Sequence, residues 1–170
     1  IVQTDLGEYI IQLRHEKPSH IITPAVHLRR QDVAQLFHKE LGIPYTEDIP
    51  TLTEVARKNL REIFIEADIG VSGINFGVAE SGTLCIVTNE GNGRMVTTLP
   101  RTHIAVMGME RLVPTMNDLA LMLSLLPRSA TTQKISVYTQ FIQNPLPEQK
   151  RPLILLDNGR SALRNSPLND

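Results

Sequence analysis

The stretch DIGVSGINFGVAESGTLCIVT, residues 68–88, decides the fold class of this 170-residue chain. Residues 68–73 have glycine boundaries that predict a short strand, and residues 83–88 are β-rich and almost continuously apolar. Apolar character on both faces is typical of interior strands, so we predict both as interior strands of a sheet. Cys85, the only cysteine, lies in the second run, where a thiol is expected to behave as a small core hydrophobe.

Three amphipathic helices are predicted outside this stretch. Apolar residues within 33–41 recur at intervals of three and four, and Gly42 is a natural stop for that helix. A Thr-x-x-Glu capping box at residues 51–54 indicates the start of a second helix. Thr115 begins a third helix with a Thr-x-x-Asp pattern, and Pro127 is expected to end it.

Short β-rich runs predict the remaining strands. These runs are residues 20–23, 104–107, 134–141 and 152–156, with residues 1–4 as the tail of another strand. Residues 71–107 show no helical pattern, so this segment is expected to contain antiparallel hairpins. Helices between strands imply parallel crossovers. The predicted fold class is α/β, with a mixed, mostly parallel sheet flanked by helices around one core.

Composition limits the classes of function. With 41% hydrophobic residues, 21% charged residues and a net charge of -1, the chain is typical of a globular protein. Basic and acidic residues alternate, so we expect no nucleic-acid partner and no membrane-binding patch. No apolar run approaches the roughly 20 residues of a membrane segment, and we expect a cytoplasmic protein. One cysteine cannot hold an iron–sulfur cluster, and the histidines lack paired metal-ligand spacing, so no cofactor or metal is predicted in this chain.

The first candidate site lies directly before the strand at residues 83–88. It contains a carboxylate, two hydroxyl groups and a glycine, which are Glu80, Ser81, Gly82 and Thr83. Glycine lets the backbone approach a ligand closely, and a glutamate held there can act as an acid, a base or a nucleophile. The structural alternative is a turn in which Glu80 caps free backbone amides.

The second candidate is a polar loop between two β-rich segments. Its residues are Asn89, Glu90, Gly91, Asn92, Gly93 and Arg94. Successive amides in such a loop can form an anion-binding concavity, and Arg94 adds a bidentate donor for phosphate or carboxylate. As a plain hairpin turn, the loop needs no function. The spacing differs from the dinucleotide-binding G-x-G-x-x-G, and no helix is predicted after it.

Further candidates lie at the ends of other elements. Arg101 and His103 lead into the strand at residues 104–107, where His103 is a candidate proton shuttle or, alternatively, hydrogen-bonded scaffolding. Other polar residues follow the third helix or the last strand, namely Arg128, Ser129, Asp157, Asn158 and Arg160. Ligands in open α/β sheets collect at the carboxyl ends of strands, and these polar residues lie at the ends of elements. Apart from the catalytic candidate His103, they are therefore candidate ligand-binding residues.

Six segments carry a family resemblance. They are TDLGEYI (4–10), AESGT (79–83), TNEGNGR (88–94), LPRTHIAV (99–106), LLPRSAT (125–131) and LDNGR (156–160). Together they resemble the LUD domain of the bacterial lactate-utilisation iron–sulfur proteins. The resemblance implies a fold similar to the sugar-phosphate isomerase, CoA-transferase and formyltetrahydrofolate cyclo-ligase group.

The resemblance also implies a role. Residues 1–170 would form a single LUD-type domain, truncated on its N-terminal side and ending before an iron–sulfur domain with two [4Fe–4S] clusters. The parent would act in electron transfer with two other lactate-utilisation subunits and oxidise L-lactate to pyruvate. This domain would bind those partners or a small anionic substrate.

Two other functions remain open at this point. A stand-alone enzyme for CoA, acyl or phosphosugar substrates would use Glu80, with Arg94 or Arg101 as an anion clamp. A glutamate near a glycine-rich turn attacks the acyl group in CoA-transferases, to which Glu80 is loosely similar. A docking module would bind the partner subunits alone.

Overall fold

The helical and the β-rich patterns of the sequence form separate parts of the molecule. A computed structural model describes residues 1–163. The chain divides into two compact units, Ile1–Glu66 and Ala67–Asp170. The first unit is built from helices, and the second contains both sheets.

Three helices form the N-terminal unit. They are α1 (Leu6–Leu13), α2 (Arg30–Leu41) and α3 (Ile49–Glu66). Gly42 ends α2 with a left-handed φ of 67°, as predicted. The helices share a core of seven buried residues, which are Tyr9, Ile10, Ala34, Phe37, Leu52, Ala56 and Leu60. This core confirms the apolar spacing from which α2 and α3 were predicted.

The capping box predicted at Thr51 is wrong. Helix α3 begins at Ile49, and the carboxylate of Asp48 accepts hydrogen bonds from the Thr51 amide at 3.0 Å and from the Thr51 hydroxyl at 2.6 Å. Asp48 therefore provides the oxygen that satisfies a free amide of the first turn.

The two strands predicted before α2 are also wrong. Residues 20–23 form turns, in which Nδ1 of His20 accepts hydrogen bonds from the amides of Ile22 and Thr23, and Ile21 is 95% exposed. Residues 1–4 are not a strand, because Gln12 of α1 bonds the Ile1 carbonyl and the Gln3 amide. Local side-chain bonds replace a sheet partner in both segments.

Seven strands of the second unit form two sheets. The three-stranded sheet is parallel, in the order β1 (Ile69–Gly73), β4 (Thr102–Gly108) and β7 (Leu153–Leu156). The four-stranded sheet has the order β5 (Leu112–Val113), β2 (Phe76–Val78), β3 (Thr83–Thr88) and β6 (Tyr138–Ile142). Strands β2 and β5 are parallel, whereas β3 is antiparallel to both of its neighbours. The predicted α/β class is confirmed, and so is β3 as an interior strand. Within the described residues β1 is an edge strand, so that prediction is wrong.

Residues 71–107 contain a helix that was not predicted, α4 (Asn92–Thr98). Gly91 adopts a left-handed φ of 79° and leads into this helix, so residues 89–94 are not a hairpin turn. The β-branched residues of α4 have low helix propensity, which hides the helix in the sequence. Gly93 is buried, and an added Cβ would lie 3.0 Å from Cγ2 of Thr88. Packing against β3 therefore stabilises the helical conformation of α4, which its local propensity does not favour.

The unit also contains α5 (Met116–Thr131) and α6 (Arg160–Leu163). Thr115 caps α5, as its Thr-x-x-Asp pattern predicted, and the cap consists of reciprocal bonds with Asp118. Pro127 does not end α5, because the helix continues to Thr131. Proline costs the helix one backbone bond, and here the ring is buried, which offsets part of that cost.

The core of the second unit lies on both faces of β3. Leu84 and Ile86 belong to one cluster of buried residues, and Cys85 belongs to another with Leu119 of α5. Cys85 is fully buried, which confirms its predicted place in the core. Residues 1–163 thus form three clusters of buried residues, where the composition predicted one core.

Candidate functional site

A cavity of about 240 Å³ lies beside α4 and β6 in the second unit. Its lining includes residues of β3, α4 and β6, among them Thr88, Gly91, Arg94, Tyr138 and Gln140. Two of the predicted site residues, Gly91 and Arg94, therefore meet two residues that the sequence did not single out. Tyr138 and Gln140 are two residues apart on β6, so their side chains lie on the same face of the strand. This period of two is the sequence signal that could have predicted that they lie together.

Arg94 provides the positive charge of the cavity. Its guanidinium carbon lies 5.7 Å from the centroid of the Tyr138 ring, within the range of a cation–π contact. Among residues 1–163 no carboxylate forms an ion pair with Arg94. The nearby carboxylate of Glu90 accepts a hydrogen bond from the Asn89 amide at 3.2 Å. Within this described part of the chain, the charge of Arg94 thus has no counter-ion.

Thr97 fixes α4 against β6. Its fully buried hydroxyl donates to the Arg94 carbonyl at 3.1 Å and accepts a hydrogen bond from Nε2 of Gln140 at 3.0 Å. An added Cβ at Gly91 would lie 3.5 Å from the ring of Tyr138, which shows how closely the start of α4 approaches β6. The backbone that carries Arg94 is therefore held in place from both ends of α4.

A chain of buried polar side chains continues from Thr97. Nε2 of Gln149 donates to the carbonyls of Thr97 and Pro100, at 2.9 and 3.0 Å. Its Oε1 accepts from Nη2 of Arg151 at 2.6 Å, and Nη1 of Arg151 donates to the Asn144 carbonyl at 2.8 Å. Arg151 was not predicted as a site residue, and its nitrogens are committed to neutral acceptors of the fold.

His103 ends this chain of polar groups. Arginine has only donors, so Nε of Arg151 donates to Nδ1 of His103, at 3.0 Å. The neutral ring therefore carries its hydrogen on Nε2, which donates to Oγ of Ser72 at 2.7 Å. Burial, and then the charge of Arg151, lower the pKa of His103 to about 4. With both nitrogens engaged, His103 cannot take a proton from Ser72, and the geometry favours the scaffolding alternative.

Glu80 lies at the start of α5. Its Oε1 accepts a hydrogen bond from the Met116 amide at 2.8 Å, which is the structural alternative described for this turn. Gly82 has a left-handed φ of 67°, and the hydroxyls of Ser81 and Thr83 are 2.7 Å apart. The catalytic roles of Glu80 and His103 remain predictions, and neither geometry favours them.

The other predicted ligand-binding residues are dispersed. Arg101, Arg128 and Ser129 are exposed and do not line the cavity. The carboxylate of Asp157 accepts from the Ser161 amide at 2.7 Å, and hydrogen bonds from Ser161 lower the pKa of Asp157. Two further residues have local roles, Asn158 with a left-handed φ of 48° and Arg160 in a 2.7 Å ion pair with Glu110.

A second cavity, of about 330 Å³, lies in the N-terminal unit. Its charged residues are largely paired with one another, as in Arg14 with Glu16 at 2.7 Å and Lys39 with Glu40 at 3.0 Å. Exposed pairs of this kind leave little net charge for a ligand. The cavity at Arg94 is therefore the stronger candidate for binding an anion.

The part of the chain that the structure describes contains neither a cluster of metal ligands nor a membrane-spanning helix. Residues 1–163 bring together no group of three or more histidine, cysteine, aspartate or glutamate side chains that could hold a metal ion. No helix in the same part of the chain has the length and apolar character needed to cross a membrane. Burial raises the pKa of the Cys85 thiol to about 11, so this cysteine is a poor metal ligand.

Comparison with known proteins identifies the class of this domain. The LUD domain model matches residues 1–155, and the chain belongs to the LUD domain family. The resemblance carried by the six sequence segments is thereby confirmed.

Individual relatives are substantially longer than this chain. Lactate utilization protein B of Macrococcus caseolyticus is 49% identical over 170 residues, which cover 96% of the chain and 36% of that protein. The "Uncharacterized electron transport protein YkgF" of Escherichia coli is 43% identical over 177 residues, covering 100% of the chain and 37% of that protein. The chain spans about a third of the length of these relatives. A solved DUF162 family protein from Deinococcus radiodurans aligns with a TM-score of 0.42 and 14% identity, covering 55% of this chain and 56% of that one.

Proposed function

We propose that this chain is the LUD portion of a longer electron-transfer protein that acts in the oxidation of L-lactate to pyruvate. The observation that supports the proposal is the 43–49% identity, over almost the whole chain, to proteins named for lactate utilization and electron transport. In this proposal the domain binds a small anionic substrate or a partner, and electrons are carried elsewhere in the protein.

The residues of this domain do not fit an iron–sulfur cluster. A [4Fe–4S] cluster needs about four thiolates, and the chain has one cysteine, which is buried with a raised pKa. We therefore place the two proposed clusters in the part of the longer protein that lies outside this chain. Two other lactate-utilisation subunits would complete the complex.

A growth experiment tests the proposal. Deletion of the parent gene should abolish growth on L-lactate and leave growth on pyruvate unchanged, because only the first requires the oxidation step. A plasmid copy of the gene should restore growth on lactate. Normal growth of the deletion strain on L-lactate would contradict the proposal.

Docking of a partner subunit is a second candidate function, favoured by β7. All four residues of this edge strand are apolar and 42–54% exposed, and an exposed edge can pair with another chain. The purified chain should then capture the other lactate-utilisation subunits, and Leu155→Lys should prevent capture. Unchanged capture by that variant would remove β7 from the role.

A stand-alone enzyme that uses Glu80 has less support, because the carboxylate is already bonded to the Met116 amide. Turnover of acyl-CoA or phosphosugar substrates by the chain, with loss in Glu80→Gln, would nevertheless establish it. Equal turnover by the variant would remove Glu80 from the role of nucleophile or base.

A further inference from the structure

We infer that the cavity beside Arg94 and Tyr138 binds a small monocarboxylate, with the Arg94 guanidinium as the group that holds the acid. The choice of acid class rests on the proposed function, since lactate and pyruvate are both monocarboxylates. The location of the site rests on the geometry of α4 and β6 alone.

Arg94 differs from Arg151 and Arg160 in the partners of its charged group. Arg151 donates to three neutral acceptors, and Arg160 is paired with Glu110. Within residues 1–163 the charged group of Arg94 contacts the Tyr138 ring and forms no ion pair, although Glu90 lies nearby in sequence. A cation in a cavity without a counter-ion is suited to an external anion.

Tyr138 contacts the charged group of Arg94 and leaves its donors unused. The guanidinium carbon of Arg94 lies over the Tyr138 ring, 5.7 Å from the centroid, and a cation–π contact of this kind uses none of the N–H groups at the edge of the guanidinium. A carboxylate is planar and accepts two parallel hydrogen bonds from such an edge. The contact with Tyr138 therefore leaves the donors of Arg94 available to a carboxylate.

The size and the charge of the cavity suit a small monoanion. Its volume of about 240 Å³ is below the range of roughly 300–1,000 Å³ typical for drug-sized ligands, and so it suits a smaller molecule. Among the lining residues that the structure describes, Arg94 is the only charged side chain, and Thr88, Thr139 and Gln140 add neutral polar groups. One positive charge matches a monocarboxylate, whereas a phosphate dianion would keep a charge unbalanced.

Hydrogen bonds join the two walls of the cavity, α4 and β6, to each other. Thr97 links the Arg94 carbonyl to the side chain of Gln140, and Tyr138 and Gln140 lie on the same strand. Pairing of Thr88 with Tyr138 in the sheet fixes β6 against β3. Thr97 is therefore a positioning residue, because it touches the backbone of Arg94 rather than the proposed ligand.

The test is a set of titrations of the 170-residue chain with L-lactate, pyruvate and inorganic phosphate. Binding is followed by the NMR signals of the Arg94 side-chain Nε–H and the Tyr138 ring. We expect saturable binding of both carboxylates and weaker binding of phosphate. Arg94→Gln should weaken carboxylate binding about ten- to a hundredfold, as expected for loss of a charged hydrogen-bonding partner. Arg94→Lys should bind with intermediate affinity, because lysine keeps the positive charge but lacks the two parallel N–H donors of a guanidinium.

Matched controls make the outcome decisive. Arg57→Gln removes another exposed arginine, which pairs with Glu54 on α3, and should leave the affinity unchanged. Amide spectra of each variant check that the chain is folded. The inference is overturned if the chain shows no saturable carboxylate binding, if Arg94→Gln binds equally well, or if phosphate binds more tightly.

The two proposals fail in different ways. A deletion strain that cannot use lactate, together with a chain that ignores carboxylates, would remove the site and leave the proposed function standing. Carboxylate binding through Arg94, together with normal growth of the deletion strain on lactate, would keep the site and remove the function.

Discussion

Two arginines of the second unit, Arg151 and Arg94, lie in contrasting surroundings. Arg151 is partly buried and donates to His103, Gln149 and the Asn144 carbonyl. Arg94 is exposed, and its guanidinium contacts the Tyr138 ring beside a cavity. Neither has a carboxylate partner among residues 1–163. The contrast shows that an unpaired arginine is structural when neutral acceptors use its donors, and is suited to binding when its donors remain available.

The largest expected effect is on stability, from Arg151→Met. Methionine keeps an apolar stem of similar length but leaves the acceptors on His103 and Gln149 without their donor. We expect the free energy of unfolding to fall by about 3 kcal/mol, since each unsatisfied buried group costs roughly 1–3 kcal/mol. Urea denaturation measures this change in the free energy of unfolding. Arg57→Met on the exposed face of α3 is the control, and an equally small change in both variants would contradict the structural role of Arg151.

The next effect is the pH dependence that His103 contributes. Its pKa is about 4 in the folded chain and 6.5 in the unfolded chain, so only the unfolded chain takes up this proton between those values. Stability should therefore decrease as the pH falls through this window, by about 2 kcal/mol between pH 7 and 5. Urea denaturation at a series of pH values should show a flatter dependence for His103→Gln. Identical slopes for the two proteins would show that the buried imidazole is not held neutral.

A smaller loss of stability is expected from a change at Thr97, which lies between the two arginines. Its hydroxyl contacts the Arg94 carbonyl, and its own carbonyl accepts a hydrogen bond from Gln149, a partner of Arg151. Thr97→Val keeps the shape of the buried side chain and removes the hydroxyl that joins the Arg94 carbonyl to Gln140. We expect a loss of about 1 kcal/mol in the free energy of unfolding. Weaker carboxylate binding should accompany it, with Thr97→Ser restoring both. Unaltered binding in the valine variant would mean that Arg94 is positioned without Thr97.

The smallest effect on stability is expected at Arg94 itself. Arg94→Gln removes an exposed cation–π contact, and the free energy of unfolding should change by no more than about 0.5 kcal/mol. Urea denaturation beside Arg151→Met gives the direct comparison. A loss as large as that of Arg151→Met would place Arg94 in the structural class and weaken the case for a binding site.

The sequence predicted the elements whose signals are local. Local patterns were sufficient to predict three elements, namely α2 from its apolar spacing, α5 from the Thr115 cap and β3 from its apolar run. Each pattern depends on residues within one or two helical turns or within one strand. The strand predicted at residues 20–23 failed because β-branched residues need a sheet partner, and none pairs with them among the described residues.

The candidate site was predicted only in part. Arg94 and Gly91 were identified from their residue types, whereas Tyr138, Thr97 and Arg151 were missed. These three acquire their roles through contacts with residues far away in sequence. Polar residues such as Glu80 and Asp157 attracted attention by composition, and their carboxylates cap helices instead.

The sequence by itself determined the α/β class, the LUD family and the residue types from which an anion site could be built. Only the tertiary structure decided which of them meet. Pairing of β3 with β6 brings Tyr138 beside α4, and packing of Gly93 on β3 makes α4 a helix despite its weak propensity. The physical reason is that strand pairing and burial act between distant segments, so no local pattern records them.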